Sequence, residues 1–539
     1  MKFIAAVIAD LRQSPLGTRS RLAEPIAGVP VLRRCLSRVK AARRIDEVFV
    51  VASPEDARGV QALVERLDVH LETAQLQAGP FQELVRAGRW WGVDGWRGGV
   101  GSLSVFDEDM NLPVLAALAQ KHEADAVVCV PGAAALVDAQ LIDAMIEHYE
   151  KLGHEMNLTF AQAPPGLAPI ILGRSLIAEI APANEPVGLL LAYNPDRPVA
   201  DLTGKDACYR APAAVIEAGG RLLCDTSRGM DRVGALIAAG AEDWSAERIG
   251  RYLCEQAVTG VLPFPAEIEI ELTTDSSSSG DSIARPSGDA VGRRGPIKLD
   301  VIRAIVDAIG DRDDVRVVLA GFGDPLVHPS FSEVCRMLRP RAAALAVRTY
   351  ARVDSADAED ALFETPVDVI ELPLDATTQQ TYQVMHGADK FTEVMARLER
   401  WLERRIRANR ARPLVVPSFT KCIENVHEME EFFDKWQRRL GMSLIIGHSD
   451  YAGQRTARAV TRTTPPARGI CRQTLSRMMI LADGSVTTCD QDYRGLQTTG
   501  RLPEMSLSDA WRSSRVECVR SQKIAEMPLC GGCSEWHRP

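Results

Sequence analysis

Five of the chain's twelve cysteines crowd into its C-terminal segment: Cys471, Cys489, Cys518, Cys530 and Cys533. Four of them follow a pattern. Cys471 is followed by twelve residues, Gly484, four residues and Cys489, and Cys530-Gly-Gly-Cys533 closes the chain. Four thiolates suit tetrahedral zinc or an iron–sulfur cluster. The CxxC element lets two thiolates take neighbouring coordination positions, and its glycines let the backbone bend around sulfur. Asp483-Gly484 is a hairpin-turn pair that would carry Cys489 back toward Cys471. Cys518 falls in a helical pattern and reads as packing. The other seven, Cys35, Cys129, Cys208, Cys224, Cys254, Cys335 and Cys422, stand singly among apolar neighbours, where cysteine acts as a small buried hydrophobe.

The totals narrow the setting. A chain of 539 residues is too long for one hydrophobic core. A net charge of -9 argues against a nucleic-acid partner, because a phosphate-binding surface brings a basic excess. The apolar run Phe3 to Ile8 is short and is followed by Asp10, so it does not read as a secretion signal. No apolar run of about 18 residues marks a membrane span. The expected compartment is the cytoplasm, where thiols stay reduced and clustered cysteines point to metal rather than disulfides.

Three regions must position these groups. In residues 1–258, a strand at 2–9 is followed by a helix with Leu32, Cys35, Leu36 and Val39 on one face, then by strands at 47–52 and 126–130. Such strand–helix alternation predicts a mostly parallel α/β domain. The stretch from about 155 to 258 has mixed signals and is attached to this domain. In residues 262–455, Ile268, Ile270 and Leu272 alternate with Glu267, Glu269 and Glu271. A Ser/Gly/Asp/Arg-rich loop at 273–296 follows, and then strands at 315–320, 344–349, 367–372, 414–419 and 443–447. Six successive βα units predict a partial (βα)6 TIM-like barrel with its chemistry at the C-terminal strand ends. Residues 465–539 have little apolar periodicity and would have difficulty burying an adequate core, a problem a metal centre would solve; the alternative is a tail docked on the barrel by packing alone.

The tail resembles the SPASM domain that follows many radical SAM barrels. The matching residues are Cys471, the hairpin Leu481 to Cys489, Asp492-Tyr493, Ser506-Leu507 with Trp511, and Pro528 to Cys533. The resemblance implies an auxiliary [4Fe–4S] cluster on Cys471, Cys489, Cys530 and Cys533; the two-cluster version of the family has more cysteines than this chain. The barrel resembles radical SAM domains in Gly321, Gly323, Asp324 and Pro325, a glycine-rich turn whose backbone in that family holds the amino group of S-adenosylmethionine. Glu371 to Asp375 with Tyr382 and His386-Gly387 resembles a later stretch. The first loop departs from the family. Where CxxxCxxC is expected, one register offers Ser276, Gly280 and Ile283, and the other Ser278, Ser282 and Arg285; neither supplies a thiolate.

The N-terminal region resembles sugar nucleotidyltransferases of the cytidylyltransferase type, in the strand 2–9, Gly17 to Leu22, Gly28-Val-Pro30 and Val48 to Ser53. The resemblance makes Arg19 and Arg21 nucleotide-phosphate ligands. The expected lysine is replaced by Ala23-Glu24-Pro25, and the Gly-Asp metal element by Pro131-Gly-Ala-Ala134. The whole also resembles spirochaete SPASM proteins that join these three parts. The expectation is an iron–sulfur protein without ordinary radical chemistry, acting as scaffold, electron-transfer partner or binding module. The alternative is an active nucleotidyltransferase, or a radical SAM enzyme acting on a protein, peptide or sugar.

Overall fold

The computed structural model describes the chain except for residues 77–80, 197–204, 257–261, 277–281, 366, 462–463, 466, 472, 521–523, 525–526 and 538–539. It divides into two compact units, Met1–Val258 and Thr259–Pro539. Each is mixed α/β around one large, parallel-rich sheet. No described helix is long and apolar enough to cross a membrane.

The first unit holds β1 (Phe3–Ala9), β2 (Glu47–Ala52), β3 (His70–Thr73), β4 (Ala126–Pro131), β5 (Leu158–Ala161), β6 (Ile170–Gly173) and β7 (Cys208–Tyr209). Their order in the sheet is β3-β2-β1-β4-β6-β5-β7. β1, FIAAVIA, is apolar along its length because it lies in the sheet interior, with parallel β2 on one side and parallel β4 on the other. Helix Val31–Lys40 buries Val31, Leu32, Cys35, Leu36 and Val39, the face the periodicity predicts. The mixed signals after 155 have a physical source. β6 runs antiparallel to both β4 and β5, so the βα rhythm is broken there.

The second unit holds β8 (Glu267–Glu271), β9 (Arg316–Ala320), β10 (Ala344–Arg348), β11 (Val369–Pro373), β12 (Leu414–Lys421), β13 (Leu444–Gly447), β14 (Arg477–Ile480), β15 (Ser485–Thr487) and β16 (Thr498–Arg501). β8 to β13 form one parallel run in chain order. The tail then joins the other edge. β14 pairs parallel with β8, and β15 and β16 extend the sheet antiparallel. Here the structure differs from the expectation of a tail without a core of its own. Met478, Ile480, Val486, Leu502, Leu507, Ala510 and Trp511 are buried in the same core as Ile268, Ile270 and Leu319. Strands of three or four residues are too short for periodicity to show, and their apolar partners lie two hundred residues upstream.

The alternating strand β8 also carries more than a half-buried pattern. Its glutamates face arginines. Glu267 meets Arg316 at 3.3 Å, Glu269 meets Arg285 at 2.9 Å, and Glu271 meets Arg294 at 2.7 Å. Charges withdrawn from water must be paired in this way.

Candidate metal centre and neighbouring sites

The hairpin β14–β15 positions the cysteines. Leu481 N–H donates to Ser485 O at 2.8 Å, and Gly484 takes φ +87°, where a side chain would run into Leu502 O. Met479 faces Thr487 across this hairpin, so Cys489 returns toward the residues that follow Cys471. Two of the four thiols receive an N–H donor within hydrogen-bond distance. The backbones of Gln473 and Thr474 act to lower the Cys471 thiol, and that of Gln491 the Cys489 thiol. Gln497 Nε2 donates to Cys530 Sγ at 3.1 Å, and Glu535 N–H to Cys533 Sγ at 3.3 Å.

The four thiols also sense one another. Burial pushes all four up, Cys533 to about 11 and Cys489 well above the usual thiol value. Cys471 adds to the rise of Cys489, Cys530 and Cys533, and Cys530 adds to that of Cys489 and Cys533. As placed, no group of three or more His, Cys, Asp or Glu among the described residues is drawn together tightly enough to hold a metal ion. The donor set nevertheless fits one in type. Four half-buried thiols, two of them with N–H donors directed at sulfur, are the chemistry that a metal or cluster converts to thiolates. Cys518 is half-buried on helix Ser514–Arg520. Cys35, Cys129, Cys335 and Cys422 are pushed to about 12 by burial, in keeping with inert packing.

The C-terminal strand ends of β8 to β13 lie beside this tail. Gly321 takes φ +84°, and a Cβ there would strike the Glu271 side chain; at Gly323 it would strike Thr273 O and Asp275 O. The turn is therefore packed against the end of β8. Its polar groups are engaged internally. Gly321 N–H donates to Glu269, Phe322 N–H to Glu271, and Gly321 O accepts from Arg285 Nε at 2.6 Å. The Arg285 guanidinium also lies over the Phe322 ring. Asp324 is fully buried and accepts from Thr349 Oγ1 at 2.8 Å and from Leu326 and Tyr350 N–H; burial raises its carboxyl above the usual value. Pro325 begins the short helix Pro325–Val327.

In the first loop, Ser278 and Gly280 lie outside the described residues. Ser282 Oγ and Ile283 N–H both donate to Met385 O. The tail closes over this mouth. Ser449 Oγ donates to Gln491 Oε1 at 2.5 Å, and Arg294 bridges Glu271 and Tyr493 O. Phe322, Tyr451 and Tyr493 pack together.

In the first unit, a cavity of about 130 Å³ opens at the C-terminal ends of β1 and β4, where Ile8, Asp10, Gly132 and Ala133 line it. The chain leaves β1 toward β2 on one side and β4 toward β5 and β6 on the other, and α/β sheets form crevices where connections part in this way. The two predicted arginines do not act together. Arg19 is exposed and meets Glu24 at 3.0 Å. Arg21 is buried and lines the cavity, its guanidinium donating to Asp225 O and Ser227 Oγ.

A carboxylate from elsewhere in the chain lines the cavity with Gly132. Near Gly132, burial raises the Asp109 carboxyl well above the usual range, and Glu108, Asp225 and Asp10 add to this. Behind it, buried Arg221 donates to both Glu108, at 2.5 Å, and Asp225, and Arg89 holds Glu108 at 2.8 Å. Sequence reasoning missed this network. The one local signal was Ser104 with Asp107, which forms a capping box.

Residues 471–534 match the SPASM family, an iron-sulfur cluster-binding domain. A protein of Treponema pallidum (strain Nichols), described as uncharacterized, is 24% identical over 245 residues, 43% of this chain and 68% of that protein. Among solved structures, Streptococcus suis SuiB bound to the precursor peptide SuiA is similar with a TM-score of 0.41 and 13% identity, over 57% of this chain and 81% of its own. A cytidylyltransferase from Leptospira borgpetersenii serovar Hardjo-bovis (strain JB197) is similar with a TM-score of 0.32 and 13% identity, over 48% of this chain and 94% of its own.

Proposed function

Taking residues 471–534 as a SPASM domain, we propose that this chain is an iron–sulfur protein of the radical SAM/SPASM kind that keeps an auxiliary [4Fe–4S] cluster and has given up radical initiation. The observation that carries the reading is the set of four half-buried thiols inside the matched domain, Cys530 and Cys533 each with an N–H donor on sulfur. Cys471, Cys489, Cys530 and Cys533 would hold the cluster, which supplies one-electron transfer when bound. The second unit is then a partial (βα)6 barrel whose mouth the tail covers.

Two features argue against reductive cleavage of S-adenosylmethionine. The first loop has no cysteine, and serine hydroxyls stay protonated and are harder ligands than thiolate. Arg285 also fills the turn, its guanidinium on the Gly321 carbonyl, where the family resemblance places the ligand's amino group. The protein acts as a scaffold, electron-transfer partner or binding module for a protein, peptide or sugar, in the cytoplasm. Anaerobic purification should yield about four iron and four sulfide per chain. Incubation with dithionite and S-adenosylmethionine should give no 5′-deoxyadenosine. Catalytic amounts of deoxyadenosine would overturn the loss of radical initiation, and stoichiometric zinc without visible absorbance would overturn the cluster.

A further inference from the structure

Gln497 lies in the loop between β15 and β16, is 2% exposed, and joins the two cysteine-bearing loops. Its Nε2 donates to Cys530 Sγ at 3.1 Å and to Thr488 Oγ1, the residue before Cys489, at 3.4 Å. Its Oε1 accepts from Leu529 N–H, the residue before Cys530, at 3.3 Å. That third contact fixes the amide's orientation. A backbone N–H must find an oxygen, so the nitrogen faces sulfur. The backbone is fixed as well. Gln497 N–H and Leu496 N–H both donate to Asp492, which is 1% exposed. The amide therefore rests on a buried support and links the Cys530 thiol to Thr488, the neighbour of Cys489, through one side chain.

We infer that Gln497 is a positioning residue for the cluster. It sets Cys530 in register with Cys489, and its N–H, directed at sulfur, makes the bound cluster easier to reduce. This rests on the cluster assignment above. A donor to a ligating sulfur stabilises the more negative, reduced state and raises the reduction potential. Groups that orient a ligand from behind typically change metal affinity by about 10–100-fold when removed.

The test uses the full chain purified anaerobically, with iron and sulfide, reduction potential, release of iron to a chelator, and melting temperature as readouts. Gln497→Leu removes the donor, and Gln497→Asn keeps an amide one methylene too short to reach Sγ. Both should shift the potential to more negative values and release iron about tenfold faster or more. Cys518→Ser should leave the potential where it was. A side chain that served the fold alone would lower the melting temperature and leave the potential of the bound cluster unchanged. Wild-type potential and iron release in both Gln497 variants, with iron bound, would overturn the inference. Wild-type protein without iron and sulfide would instead overturn the cluster assignment itself.

Discussion

Replacing Arg221 with methionine should destabilise the first unit by an amount the structure allows to be bounded. The guanidinium is 4% exposed in its side chain, and its partners Glu108 and Asp225 are 1% and 2% exposed. Removing one member of a buried ion pair costs about 3–5 kcal/mol, because the remaining charge is stranded. Glu108 would keep Arg89 at 2.8 Å, while Asp225 would lose both of its guanidinium contacts. The lower end, about 3 kcal/mol, is therefore expected. The unit spans Met1–Val258. Unfolding entropies near 2.1 cal/mol/K per residue give it roughly 0.5 kcal/mol/K, so the midpoint should fall by about 5–6 °C.

The loss should depend on pH. Burial already raises the Asp225 carboxyl, and without Arg221 it rises further. A carboxyl whose folded value lies above its unfolded one stabilises the fold fully below the unfolded value, and that stability is lost as pH rises toward the folded value. The deficit should thus shrink below about pH 4, where the unfolded-state carboxyl is protonated too. Adding Asp225→Asn should recover part of the loss at neutral pH. Scanning calorimetry of the full chain measures all of this. A midpoint change under about 1 °C at neutral pH, or a deficit that grows on acidification, would refute the reasoning.

Three further outcomes follow from the sites. Cys530→Ser should remove iron and concentrate proteolysis in the loops carrying Cys489 and Cys530, while Cys518→Ser does neither; iron analysis and limited proteolysis read this. Asp109→Asn should stabilise the protein increasingly as pH rises from about 4, because the native carboxyl's raised value makes stability fall over that range and the amide removes the slope. Melting curves across that range check it. No nucleoside triphosphate with Mg²⁺ should release pyrophosphate above an Arg21→Ala control, since Arg21 is held by Asp225 O and Ser227.

Much of the fold was legible where elements are long and regular. The strand positions read at 315–320, 344–349 and 414–419 lie on β9, β10 and β12, and the Leu32 to Val39 stripe is buried as its period requires. The SPASM domain was legible because its cysteines and hairpin turn fall in one segment, residues 471–534. What could not be read is built from distant pairs. Glu108 and Arg221 are 113 residues apart, and no periodicity marks either as the other's partner. Asp109 stands at the turn after β4 although nothing near Gly132 announces it. Gln497 looked like any loop glutamine, because its role depends on where Leu529 and Cys530 return. Arg285 was read only as part of the polar loop at 273–296; its partners Glu269 and Gly321 belong to a strand and a turn read separately.

The pairing of β14 with β8 has a consequence for the order of synthesis. Met478 lies beside Ile268, but about two hundred residues separate these strands along the chain. At about 5–20 residues per second, the ribosome needs roughly 10–40 s to deliver β14 after β8 has emerged. Throughout that interval β8 has an open parallel edge whose N–H and C=O groups can pair with another chain. A nascent chain stalled or truncated before Arg477 would keep that edge open permanently, so loss of the tail would leave β8 exposed to pairing with other chains as well as removing Cys489, Cys530 and Cys533.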